Sequence, residues 1–150
     1  MMDSKEFKNV FDEVAKSHGF SKAFGAWFKE SPEAILVLEL QKSKFGDYYE
    51  LNIKIFVQGM FGNTHHINKN LAKKEMGDIF TRQPQEFSRI LNFDEPITDE
   101  KRKEELERLF LDYVNSFTNK ALFKAGIKEL ADHGLVFLLP AVKEQLLNLN

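Results

Sequence analysis

The stretch that decides the fold is ILVLELQKSKFGDYYELNIKIFVQ, residues 35–58. It reads as a β-hairpin. If Ser43 faces Tyr48 across the loop Lys44-Phe45-Gly46-Asp47, then Leu40 lies opposite Leu51, Leu38 opposite Ile53 and Leu36 opposite Ile55. All of these share one face, because side chains in a strand alternate with a period of two. The other face receives Gln41 opposite Glu50, Glu39 opposite Asn52 and Val37 opposite Lys54. A slip of one residue would mix the two sets, so burial of the Leu/Ile row sets the register. Gly46 is placed to supply the positive φ that such loops often need. An apolar face backed by a mixed polar one is the pattern of an antiparallel sheet covered on one side. Lys54→Ala, on the polar side, is therefore expected to be nearly silent.

Upstream, Phe7, Val10, Phe11 and Val14 repeat at helical spacing over Ser4 to Ser17, with Asp3 or Ser4 as the cap and Gly19 as the stop. Phe20 to Glu30 reads as one strand entering the hairpin through Glu30-Ser31-Pro32-Glu33. An odd-length connection would place Phe24, Ala26 and Phe28 beside the Leu row and leave Trp27 with Phe56 on the polar face; an even one reverses this. The odd connection buries the more uniform set and is the expectation.

Downstream, Asn68 to Met76 is polar with room for a helical turn, and Gly77 to Arg82 suggests a short fourth strand stopped by Pro84. Phe87, Ile90 and Leu91 fit a short helix between Gln85 and Asn92. The clearest helix runs from Asp99 to Phe117, capped by Thr98 and carrying Leu106, Leu109, Phe110, Tyr113, Val114 and Phe117 as its apolar stripe. Its charged first half, DEKRKEELER, reads as solvated. A further helix from Asn119 to His133, capped by Thr118, and a last one starting at Pro140 complete the pattern. Helix, strands, helices is the order of an α+β fold: one domain over residues 1–150, with an antiparallel sheet of three to four strands and helices on one face.

Composition narrows the function classes. In 150 residues, 43% hydrophobic and 29% charged content is ordinary for a globular domain. A net charge of −2 argues against general nucleic-acid binding, and the absence of cysteine removes disulfides, thiolate zinc sites and thiol nucleophiles. The charged start MMDSKEFKNVF lacks the apolar core of a secretion signal, and the apolar run Leu135–Leu139 is too short to span a bilayer. The expected location is cytoplasmic, without membrane insertion.

No motif announces a reaction. His65-His66 lacks the turn-spaced partners of a metal site, and neither a nucleophile elbow nor a phosphate-binding glycine loop occurs. No cofactor is implied. What remains is a polar constellation at the open end of the hairpin: Gln41 and Lys42, Asn52 one strand over, and Arg82 beyond. Gln41 and Asn52 can present their amides side by side, Lys42 points to the opposite face but lies near enough to the strand end for its ammonium to reach water, and Arg82 adds five donors suited to a carboxylate or phosphate. Equally, such groups can exist to satisfy one another and nearby backbone.

The same residues carry a family resemblance. HGFSKAFGAWF, LQKSKFGDYYELNIKIF and IFTRQP together resemble the bacterial domain-of-unknown-function 4304 family. Its Gly-Phe-x-Lys entry is matched by Gly19-Phe20-Ser21-Lys22, and its LQKS-x-x-G segment by Leu40-Gln41-Lys42-Ser43 with Gly46. Tyr49-Glu50-Leu51-Asn52 matches the aromatic-x-x-Asn strand, and Arg82 the arginine after the sheet. The resemblance spans about residues 18–84; a tryptophan pair after the arginine is missing, Phe87 being the nearest aromatic. It implies a small soluble bacterial α+β domain and no known reaction. The first functional reading is a non-catalytic module that docks a protein partner on the mixed face around Trp27 and Phe56, an immunity-type protein being one example by size and acidity. The alternative is a small enzyme or ligand binder that holds an anionic substrate near Lys42, Asn52 and Arg82.

Overall fold

The computed structural model describes residues 1–149. Its centre is the long hairpin of β3 (Ala34–Lys42) and β4 (Tyr49–Val57). The register is the one expected: Leu40 faces Leu51, Leu38 faces Ile53 and Leu36 faces Ile55, and the Ser43 amide bonds the Tyr48 carbonyl at 2.9 Å. Gly46 departs from the expectation. It is not among the glycines with positive φ, and a Cβ there would lie 3.1 Å from the Tyr48 ring.

The entry strand is two strands. Ser21–Ala23 (β1) turns through Phe24-Gly25 into Ala26–Glu30 (β2), with Ala23 opposite Ala26. Both turn residues have positive φ, 53° at Phe24 and 74° at Gly25. This is the backbone of a two-residue hairpin turn whose twist matches its strands, and Gly25 meets it without a Cβ clash. With Ile79–Arg82 (β5) beside β4, the sheet is antiparallel, five-stranded and in sequence order, rather than three- or four-stranded.

The connection from β2 to β3 is even. Glu30 pairs with Ile35 and Trp27 with Leu38, so Trp27 joins the Leu row and Phe28 joins Val37 on the opposite face. The expected facing is overturned, and the cause is packing. Trp27 is fully buried edge-on against Phe11 (centroids 4.6 Å apart), and its indole N–H bonds Asp12 at 2.8 Å. An indole needs a hydrogen-bond partner once buried, and the first helix supplies one.

The Leu face is covered by α1 (Ser4–Ser17) and by the helices after the sheet. Asp3 caps α1 through the Glu6 amide at 2.8 Å, and Gly19, with φ 89°, follows its end. The long helix begins as expected at Thr98 with α3 (Asp99–Leu109), passes through a π-helical turn (Phe110–Val114) and continues as α4 (Asn115–Ala121). His18, at the end of α1, stacks on Phe110 and bridges Glu107 (2.6 Å) and Asn115 (2.9 Å) across this turn. Two sequence expectations give way here. Thr118 is buried inside α4 rather than capping the next helix, and Arg102 of the charge run is buried. The Arg102 guanidinium clamps the carbonyls of Ile90 (2.6 Å), Asn92 (3.1 Å) and Glu95 (3.3 Å), fixing the 3-10 segment Gln85–Leu91. Helices α5 (Lys124–Asp132) and α6 (Pro140–Asn148) complete the chain, with Pro140 in the first turn of α6.

The second face is not left open. The short helix α2 (Lys69–Lys73), capped by Asn68, lays Leu71 and Ala72 on Ala26, Phe28, Ile35, Val37 and Phe56. A second, smaller core results, and it covers half of the face that the sequence presents as mixed polar.

Candidate functional site

Where α2 stops covering the second face, the polar halves of β3, β4 and β5 floor a recess of about 430 Å³. Glu39, Asn52 and Arg82 stand abreast on the three strands, so their side chains meet by register alone. Asn52, only 4% exposed, is the hub. Its amide nitrogen donates to Gln41 Oε1 (2.8 Å) and Glu39 Oε1 (3.1 Å), and its Oδ1 accepts from Arg82 Nε (3.0 Å). Arg82 Nη2 reaches the same Gln41 oxygen at 3.5 Å, and the guanidinium lies 5.6 Å from the Phe80 ring. One edge of the arginine is thereby held, and its Nη1 has no partner among the described residues.

Lys54 anchors the other side of the network. It is 3% exposed, and its ammonium meets Glu39 at 3.0 Å and donates to the carbonyls of Ala72 (3.1 Å) and Leu71 (3.3 Å) in α2. The short helix thus ends on a cation, the favourable sign at that terminus. Beyond it, Lys73 donates to the Gly25 carbonyl at 3.3 Å, and Lys74 lines the recess with no acidic partner among the described residues. Four cations (Lys54, Lys73, Lys74, Arg82) face two carboxylates (Glu39, Glu75) in the lining, a local excess of positive charge on a chain whose net charge is −2. Lys8 extends the basic surface. Burial, followed by the nearby charges of Lys73 and Lys22, pulls its ammonium below the ordinary lysine range.

Of the residues picked out from the sequence, Gln41, Asn52 and Arg82 come together. Lys42 does not join them. It lies on the Leu face, ion-paired with Asp47 and 5.4 Å from the ring centroids of both Tyr49 and Phe93. Trp27 is also elsewhere, and with Trp27 at 0% and Phe56 at 1% exposure the aromatic docking surface expected around them does not exist. Sequence reasoning missed Lys73 and Lys74. Their placement depends on α2 docking on the second face, for which the Leu71-Ala72 pair in a polar stretch is a faint signal. Arg82 also borders a neighbouring recess of about 360 Å³ with Tyr48, Glu50 and Gln83, but the only other charge there is Glu50.

The histidines lie away from this recess. His65 turns inward to Phe56 and lies 3.8 Å from Asp78, whereas His66 is exposed. No group of three or more metal-ligating side chains occurs among the described residues.

The family model for the domain of unknown function DUF4304 matches residues 11–121, well over half of the chain and including every strand. The chain belongs to the DUF4304 family. No curated protein and no solved structure matches it. The DUF4304 segment holds all the side chains of the recess and ends with α4, so α5 and α6 lie outside it. No helix among the described residues is long and apolar enough to cross a membrane.

Proposed function

We propose that this DUF4304 protein is a non-catalytic binding protein that holds a small anionic molecule in the recess, with Arg82 as the principal contact. The observation that carries this reading is the orientation of Arg82 by Asn52 and Gln41, which leaves one nitrogen without a partner among the described residues, in a recess that Lys74 also lines. A guanidinium fixed before binding loses little freedom when it meets a carboxylate or phosphate, and its planar donors suit either. Of the two carboxylates in the lining, Glu39 has its Oε1 engaged by Asn52 and Lys54, which commits that oxygen to holding the recess together.

Thermal unfolding in the presence of inorganic phosphate, ribose 5-phosphate or succinate tests the proposal. At a hundredfold excess over its dissociation constant a ligand adds about 2.7 kcal/mol to stability. The expected result is stabilisation of the wild type by one of these anions and its loss in Arg82→Gln. No shift with any of them, or an equal shift in Arg82→Gln, overturns the reading.

A second reading, docking of an acidic segment of a partner protein, is favoured by one observation. Phe24 stands 52% exposed at the β1–β2 turn, beside Gly25, to which Lys73 is bonded. Aromatic side chains are enriched at recognition surfaces. Immunity-type neutralisation of a toxin falls within this reading, through a basic surface instead of the aromatic face first expected. Pull-down with wild type and Phe24→Ser distinguishes it: identical partner lists reject docking at this turn.

A further inference from the structure

The segment from Leu135 to Leu139 has no part in the recess, yet it is the most exposed apolar run of the molecule. Its burial alternates. Val136 and Leu138 turn inward, while Leu135 (48% exposed), Phe137 (75%) and Leu139 (59%) project into solvent, with Leu147 of α6 (65%) nearby in sequence order on the following helix. Phe137 and Leu147 rim a cleft of about 370 Å³ between α5 and α6, floored by Val136 and Leu146. An apolar cavity of roughly 150 Å³ already accommodates benzene, so a phenyl ring fits here readily. Exposed apolar clusters of this kind mark interaction surfaces.

We propose that this surface is a two-fold interface between copies of this chain, in which Phe137 of each copy inserts into the cleft of the other. Two observations select a second copy as the occupant. A protruding ring and a cleft able to receive it stand side by side on one patch, the self-complementarity that an isologous contact requires. The rim also carries both signs of charge: Lys128 and Asp132, one turn apart on α5, and Lys143 on α6 line the cleft, and none of the three has an ion-pair partner among the described residues. Two-fold rotation brings Asp132 of one copy to the lysines of the other and satisfies both rims at once. The surface belongs to α5, α6 and their connection, outside the matched family segment.

Sedimentation velocity on the full chain, from low to high micromolar concentration, is the test. The wild type is expected to pass from monomer to dimer, and Phe137→Asp to remain monomeric with an unchanged far-ultraviolet circular dichroism spectrum. A charge-swap series guards against a general effect of surface charge. Asp132→Lys and the double variant Lys128→Glu/Lys143→Glu should each associate more weakly than the wild type, and their equimolar mixture should recover a dimer. A wild type monomeric throughout, association unaffected by Phe137→Asp, or a mixture no stronger than its components would overturn the proposal.

Discussion

At the scale of single residues, Lys54 carries the clearest reversal. Judged by strand alternation it belongs to the solvated face and its removal should be silent. In the folded chain it is buried, paired with Glu39 and bonded to two carbonyls of α2. Removing one member of a buried pair leaves the other charged and unpaired, which typically costs about 3–5 kcal/mol. Urea unfolding of Lys54→Ala should show a loss of that order, discounted toward the lower end because Glu39 retains 12% exposure and the Asn52 bond. A loss under about 0.5 kcal/mol, the usual range for a free surface side chain, would mean that the pair does not form. Asp12 yields a prediction with a pH signature. Burial pushes its carboxyl up, but hydrogen bonds from Trp27 and Lys16 and the charges of Lys16 and Lys22 outweigh this and hold it below the usual carboxylate range. A depressed folded value means that the ionised form stabilises the fold. That contribution is complete above the unfolded value of about 3.9 and is lost as the pH falls through the depressed one. Asp12→Asn should therefore be less stable than wild type near neutrality and converge on it in acid; a gap that widens below pH 4 would contradict the assignment. Asp78 runs the opposite way: burial raises its carboxyl, so any cost of its charge is relieved as the pH falls.

At the scale of elements, the tightest contact is between α4 and α5. A Cβ at Gly126 would lie 2.0 Å from the Lys120 carbonyl oxygen, a backbone atom that cannot rotate away. Gly126→Ala should destabilise by about 1–3 kcal/mol, the usual range for overpacking, despite the better helix propensity of alanine. Equal or higher thermal stability of the variant would show that the two helices can part at no cost. Elements with one strong pattern were the ones legible in the sequence. The β3–β4 register followed from the Leu and Ile rows, and α1, α3 and the start of α6 followed from Asp3, Thr98 and Pro140. The β1–β2 turn was not legible, because a phenylalanine at φ 53° is a position that bulky residues rarely adopt. Trp27 was misplaced for a related reason. Alternation fixes which residues share a face, but the face itself depended on whether the loop to β3 is odd or even, and the partner that decides it, Asp12, lies on another element. In the recess, Gln41, Asn52 and Arg82 could be read from strand position alone, whereas Lys73 and Lys74 required the docking of α2.

At the scale of the whole molecule, one sheet supports two cores, and strands β2, β3 and β4 contribute to both. Neither core can open without stripping a face from the same strands, so unfolding should be a single transition. Phe56→Ala, in the smaller core, should remove about 3–5 kcal/mol and lower the midpoint of that transition. It should do so with the calorimetric and van 't Hoff enthalpies still equal. A second heat-absorption peak in the variant would show that α2 and its core melt alone. The burial of Trp27 under α1 has a further consequence, an optical one. It is the only tryptophan, and it lies on the face of the sheet opposite the recess. Its emission therefore reports whether α1 is seated, while occupation of the recess, across the thickness of the sheet, leaves the fluorophore's surroundings as they were. A quenching titration would be blind to the anion, and a label placed at Met76 on the rim would see it.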